Sequence, residues 1–115
     1  MNTLIKPSVG RKVWYRPAAY DLLGPGAMSV GHDSTHPTKR QPLDATVLAV
    51  HSDRCINVLV LDVYGKPFTK TSVTLKQVGD EMPKDAEGQE LGGYVEWMPY
   101  QAEQAAKQAQ AESAS

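Results

Sequence analysis

Between Asp44 and Leu75 the chain runs three times through β-branched and apolar residues and turns twice in between. Ala45-Thr46-Val47-Leu48-Ala49-Val50 is followed by the polar turn His51-Ser52-Asp53-Arg54. Ile56 to Val63 comes next, Tyr64-Gly65-Lys66-Pro67 interrupts it, and Thr69 to Leu75 resumes the pattern. Apolar runs this short, joined by turns this tight, have room for antiparallel strands and none for crossover helices. They predict a β-meander, with an aromatic segment on either side: Val13-Trp14-Tyr15 before it and Tyr94 to Trp97 after it.

The flanking segments extend the sheet. Val9 to Tyr15 reads as a first strand, with Val13 and Tyr15 on one face and Trp14 on the other, and Pro17 ends it. Ala18 to Leu23 has room for one helical turn. Gly24 to Pro42 is a long first loop, poor in core residues. Gln77 to Gly88 is a polar excursion rich in Gly, Pro and Asp. Tyr94 to Met98 is the last strand, and Pro99 suits the first position of a helix. Glu103 is expected in that helix's first turn, where its charge favours the dipole. The expected architecture is all-β, a small five-stranded SH3-like barrel with a long first loop and a C-terminal helix. Residues 1–100 form the β-domain and 101–115 an Ala/Gln-rich helix or tail.

The expected core comprises Val13, Val47, Ala49, Val58, Val60 and Val73. Strand Ile56–Val63 is apolar on both faces, as suits a strand buried on both sides, or one with a face in the core and the other in a subunit contact. Asp62 is placed at the strand edge, capping the Tyr64-Gly65 turn. Setting aside the first loop and the tail leaves about 80 residues, a size at which one core is only marginally stabilising and self-association is a natural remedy.

Composition narrows the function. The formal net charge of -1 weighs against nucleic acid, whose binders carry a basic excess. Cys55 is the only cysteine, so no internal disulfide forms. No apolar run follows Met1 and none approaches a bilayer's span, so the reading is a cytosolic chain with no membrane partner. His32 and His36 stand four apart, but Gly31 and Pro37 flank them and no helix would align them. His51 and Cys55 have the same spacing across a turn, with no second cysteine to complete a zinc site. Cys55 opens an apolar strand, as a small hydrophobe does. No carboxylate spacing marks an acid–base pair, and Gly24-Pro25-Gly26 lacks the Gly-Lys-Ser/Thr of a phosphate loop. The chain is therefore read as neither an enzyme nor a metalloprotein, with no cofactor.

The aromatics carry the positive signal. Trp14, Tyr64, Trp97 and Tyr100 stand at strand ends, where rings form a stacking platform or a contact surface. Arg16 and Arg40 are placed to neutralise an anion beside them. The candidate binding residues are thus Trp14, Arg16, Arg40, Tyr64, Trp97 and Tyr100.

Gly10 to Tyr15, Asp44 to Val50 and Asn57 to Gly65 resemble the strand pattern of Tudor-type and related SH3-like domains. Glu96-Trp97-Met98-Pro99-Tyr100-Gln101, downstream of Thr71-Ser72-Val73 and Gly79-Asp80 and preceded by Val13-Trp14-Tyr15, is similar to a narrower group, small proteins encoded by tailed bacteriophages and prophages. That resemblance covers about Val9 to Gln101, leaves out the Gly24–Pro42 insertion and the tail, and brings no activity or site residues with it. It implies a phage- or prophage-encoded protein in the cytoplasm of the infected bacterial cell. The expected function is non-enzymatic binding: a homo-oligomer that holds a small anionic ligand, nucleotide-like in its specific form, or a host protein, and so acts on host defence. Arg11, Arg16 or Arg40 would neutralise a nucleotide stacked on Trp14 or Trp97. The alternatives are a minor virion or assembly protein docking on other phage proteins, and a nucleic-acid-binding SH3-like module.

Overall fold

The computed structural model describes residues 4–84, 86–87 and 92–114, with side chains through residue 111. The first three residues of the lead-in, and residues 85 and 88 of the polar excursion, lie outside the described set. The elements run β1 (Lys12–Arg16), a 3-10 turn (Ala19–Leu22), β2 (Leu43–Ser52), β3 (Cys55–Leu61), β4 (Pro67–Lys76), β5 (Tyr94–Glu96) and α1 (Pro99–Ala114). The five strands close into a barrel in sequence order. Pairings β1–β2, β2–β3 and β3–β4 are antiparallel, as the meander requires. β5 closes the barrel by pairing antiparallel with β1 and parallel with β4. The closing seam is short: among the described residues only Leu75 and Lys76 of β4 pair with Val95 and Glu96 of β5. Among the described residues no helix is long and apolar enough to cross a membrane.

The inward row follows period two. Val13 and Tyr15 from β1, Leu43, Ala45 and Val47 from β2, and Ile56, Val58 and Val60 from β3 point into one core, with Val73, Leu75, Val95 and Trp97. Ala49 was expected there and is only half-buried. A bulge between Val47 and Ala49 interrupts the β2–β3 register, so the alternation that would turn Ala49 inward is lost. A second irregularity lies between Ile56 and Val58. There Ser72 takes a φ of 50°, and its N–H donates to Asn57 Oδ1 at 2.8 Å, which supplies the acceptor the local ladder lacks. Truncating Val60, fully buried at the centre of β3, to alanine should cost about 1–3 kcal/mol in a denaturant melt. An unchanged midpoint would place that face in solvent.

Asp62 closes the β3–β4 turn as expected. Its Oδ1 accepts from the backbone N–H groups of Tyr64 at 2.9 Å and Lys66 at 3.0 Å. Gly65 takes the left-handed φ of 82° that the turn demands. Oδ2 accepts from Ser29 N–H at 3.1 Å, which fastens the first loop to the turn. Burial pushes this carboxyl up, but the three backbone donors outweigh it and hold the group below the usual carboxylate range.

The first loop is less core-poor than its composition suggests. Met28 is buried in the core and Val30 packs against it. From Gly31 to Gln41 the chain folds back as a small hairpin, with a bridge between His32 and Arg40. α1 begins at Pro99, so Glu103 falls beyond the first turn, which holds no acidic residue. Gln101 does the capping instead: its Oε1 accepts from Met98 N–H at 2.9 Å, the backward half of a capping box. Its Nε2 donates to the Lys12 carbonyl at 2.8 Å and ties the helix to β1.

Candidate functional site

The docking of α1 creates a concavity. Its first turns lie beside the N-terminal segment, and a cleft of about 370 Å³ opens between them. Leu4, Lys6 and Arg11 line one side; Gln104, Ala105 and Ala109 line the helix side. The volume falls in the range of small-ligand sites, roughly 300–1,000 Å³. Lys6 and Arg11 make no ion pair with a carboxylate among the described residues. Arg11 instead lies over the indole of Trp97, 4.8 Å from its centroid, which orients the guanidinium without neutralising it. The cleft thus has two cations without a carboxylate partner among the described residues, facing a helix side of three glutamine amides and two alanines. It suits a small anionic ligand.

Trp97 was expected on a contact surface and is placed in the core. It is 4% exposed, and its indole N–H donates to Gln77 Oε1 at 3.0 Å. Gln77 is itself buried. Its Oε1 also accepts from Ile5 N–H at 2.9 Å, and its Nε2 donates to the carbonyls of Ile5 and Asp53. One amide therefore ties the N-terminal segment, the β2–β3 turn and Trp97 into the end of the barrel. A hollow of about 150 Å³ beside it is lined by Lys76, Glu96, Trp97 and Ala102.

Three of the other predicted residues converge on the outer face of β1. Trp14 is half-buried there, and the Arg16 guanidinium lies 5.4 Å from its ring centroid. The side chain of Arg16 is 9% exposed, with Asp33 Oδ2 4.0 Å from Nη1 and Glu96 Oε2 3.5 Å from Nε. Neither contact meets hydrogen-bond geometry, and both nitrogens are buried without an acceptor. Each such donor costs about 1–3 kcal/mol. Arg40 Nη1 donates at 3.1 Å to the carbonyl of Pro17, next to Arg16. Tyr64 and Tyr100 stay apart from this cluster, on the β3–β4 turn and at the start of α1, 86% and 69% exposed.

At one end of the barrel Asp21 joins three groups. Its Oδ2 accepts from Tyr15 Oη at 2.6 Å and Ala18 N–H at 3.0 Å, and its Oδ1 from Lys70 Nζ at 2.6 Å. Burial first, and then the hydrogen bond to Asp21, push the Tyr15 phenol far above its usual range, so it stays a donor. Every partner is used, and the cluster reads as structural.

His36 stands in the bend of the 31–41 hairpin and His32 at its bridge, while His51, expected in the β2–β3 turn, lies on β2. His36 Nδ1 lies 3.0 Å from Thr38 Oγ1, and His51 Nε2 lies 3.0 Å from Asn57 Oδ1. Among the described residues no group of three or more His, Cys, Asp or Glu side chains is placed to hold a metal ion. Sequence reasoning missed Lys6 and Gln104. Their role depends on where α1 docks, and a helix with so shallow an apolar stripe carries no local signal of its partner. Comparison of the chain with protein-family models, with curated proteins and with solved structures finds no match.

Proposed function

We propose that this is a non-enzymatic binding protein that holds a small anionic ligand in the cleft between its N-terminal segment and α1. The observation that carries the reading is the pair Lys6 and Arg11, two cations without a carboxylate partner among the described residues, in a concavity of ligand size. A phosphate or carboxylate supplies the acceptors they lack, and charge-assisted contacts of this kind contribute about 1.5–3 kcal/mol each. The closed five-strand order with a long first connection supports an SH3-like assignment for the barrel. The Glu96–Gln101 motif supports a phage or prophage origin, and with it a place in the infected bacterial cell and an action on host defence by sequestering a nucleotide-like ligand. Self-association belongs to the same reading, because a core of this size is only marginally stabilising.

Native mass spectrometry of the protein purified from bacterial cells tests ligand and stoichiometry together. The expected result is an oligomer retaining a small anionic mass, lost from a folded Lys6→Ala/Arg11→Ala variant as affinity falls by at least about 2 kcal/mol. Retention of the same mass by that variant would move the ligand elsewhere. A ligand-free protein that co-purifies with phage structural proteins would favour the assembly role, for which exposed Tyr100 and the outward face of α1 are the available surface.

A further inference from the structure

Arg16 is the one described residue whose buried side-chain nitrogens have no hydrogen-bond partner. Buried guanidinium donors are normally satisfied. Here two carboxylates supply charge but not hydrogen bonds, Glu96 at 3.5 Å and Asp33 at 4.0 Å. They differ in how they are held. Glu96 belongs to β5 and is fixed by the barrel. Asp33 belongs to the 31–41 hairpin, which has its own internal bonds: Gln41 N–H to the Gly31 carbonyl at 2.9 Å, and Asp33 N–H to the Lys39 carbonyl at 3.1 Å. Of the described contacts, those tying the hairpin's charged side chains to β1 and its end are the long Arg16–Asp33 pair and the bond from Arg40 to the Pro17 carbonyl. Lifting the hairpin breaks these two and keeps the internal bonds. It uncovers the Arg16 guanidinium and the Glu96 carboxylate beside the half-buried Trp14 indole, and carries Asp33 and Arg40 away with it.

We propose that Arg16 anchors a second site, closed by the 31–41 hairpin, in which the Asp33 carboxylate stands in for the oxyanion of a ligand. The ligand is a phosphate or carboxylate carried on a planar ring. The ring stacks on Trp14, and the oxyanion takes the Arg16 donors that Asp33 approaches but does not satisfy. Arg40, carried on the hairpin, gives up the Pro17 carbonyl when the site opens. The site is separate from the Lys6–Arg11 cleft and does not depend on it.

Calorimetric titration with ADP, and separately with inorganic phosphate at constant ionic strength, tests this in the full chain. Both wild type and a Lys6→Ala/Arg11→Ala background are used, so that binding in the cleft drops out of the second series. Amide exchange across residues 31–41 is followed in parallel. ADP binding should survive in the double-variant background and speed exchange at those hairpin amides that have no bond within the hairpin. Asp33→Asn removes the internal competitor and should tighten ADP by about tenfold or more, because the open form is no longer scarce. Trp14→Ala should weaken ADP and leave phosphate unchanged, and Arg16→Gln should abolish both. Asp33→Asn carries the test alone if Arg16→Gln does not fold. The proposal is overturned if Asp33→Asn binds ADP no better than wild type. It is equally overturned if neither protein binds ADP, or if binding disappears in the Lys6→Ala/Arg11→Ala background.

Discussion

Truncating Trp97 to alanine is expected to destabilise the protein by about 3–5 kcal/mol, the usual cost of removing a large buried aromatic. The ring is 4% exposed and belongs to the core cluster. Its loss opens a cavity at the barrel end and leaves Gln77 Oε1 with only the Ile5 N–H donor. It also takes away the surface on which Arg11 lies. Trp97→Phe separates these effects. It keeps most of the ring and removes the indole N–H, so its cost should be nearer 1 kcal/mol, the worth of one hydrogen bond plus a small void. Chemical denaturation of both variants is the measurement. A Trp97→Ala protein of wild-type stability that has lost only an assembly state would return Trp97 to a contact surface.

Replacing Asp21 with alanine should cost about 3 kcal/mol or more. Breaking a buried ion pair from one side costs about 3–5 kcal/mol. The lower end applies here because Lys70 is a quarter exposed, while the Asp21 side chain is only 2% exposed. Without Asp21, the Lys70 ammonium stands 5.9 Å from the Tyr15 ring and 5.5 Å from the Tyr20 ring with no counter-charge. The Tyr15 hydroxyl and the Ala18 N–H lose their acceptor at the same time. A double-mutant cycle with Lys70→Met identifies the cause. Adding Lys70→Met to the Asp21→Ala chain should recover part of the loss, because the orphaned charge goes with it. If Asp21→Ala costs under 1 kcal/mol, or Lys70→Met adds its own full cost on top, the pair does not hold this end of the barrel together.

The outward cluster shows how far period two reaches beyond the fold. Trp14 and Arg16 share the outer face of β1 because they are two apart, and that placement needs nothing but the strand. Arg40 arrives through a hairpin whose position depends on Met28 in the core and on Asp62 accepting from Ser29. Its residue type pointed to an anion. Its partner, a backbone carbonyl beside Arg16, could not be read from spacing.

The strands, their order and, up to the bulge at Ala49, the inward row were determined by the sequence itself, because side-chain direction in a strand is local and alternates with every residue. The Asp62 turn was local in the same way, since its acceptor and two of its donors lie within four residues. Three features were decided only by tertiary structure. The parallel contact of β4 with β5 is a property of closure, to which neither strand holds a local clue. Trp97 and Tyr100 are neighbours in one motif with the same interfacial chemistry, yet one is core and the other is exposed, because Gln77 offers Trp97 an acceptor inside the barrel end. The cleft exists only where α1 lies against the N-terminal segment. It brings Lys6 and Arg11 beside Gln104 across most of the chain's length, and no periodicity within either segment records that meeting.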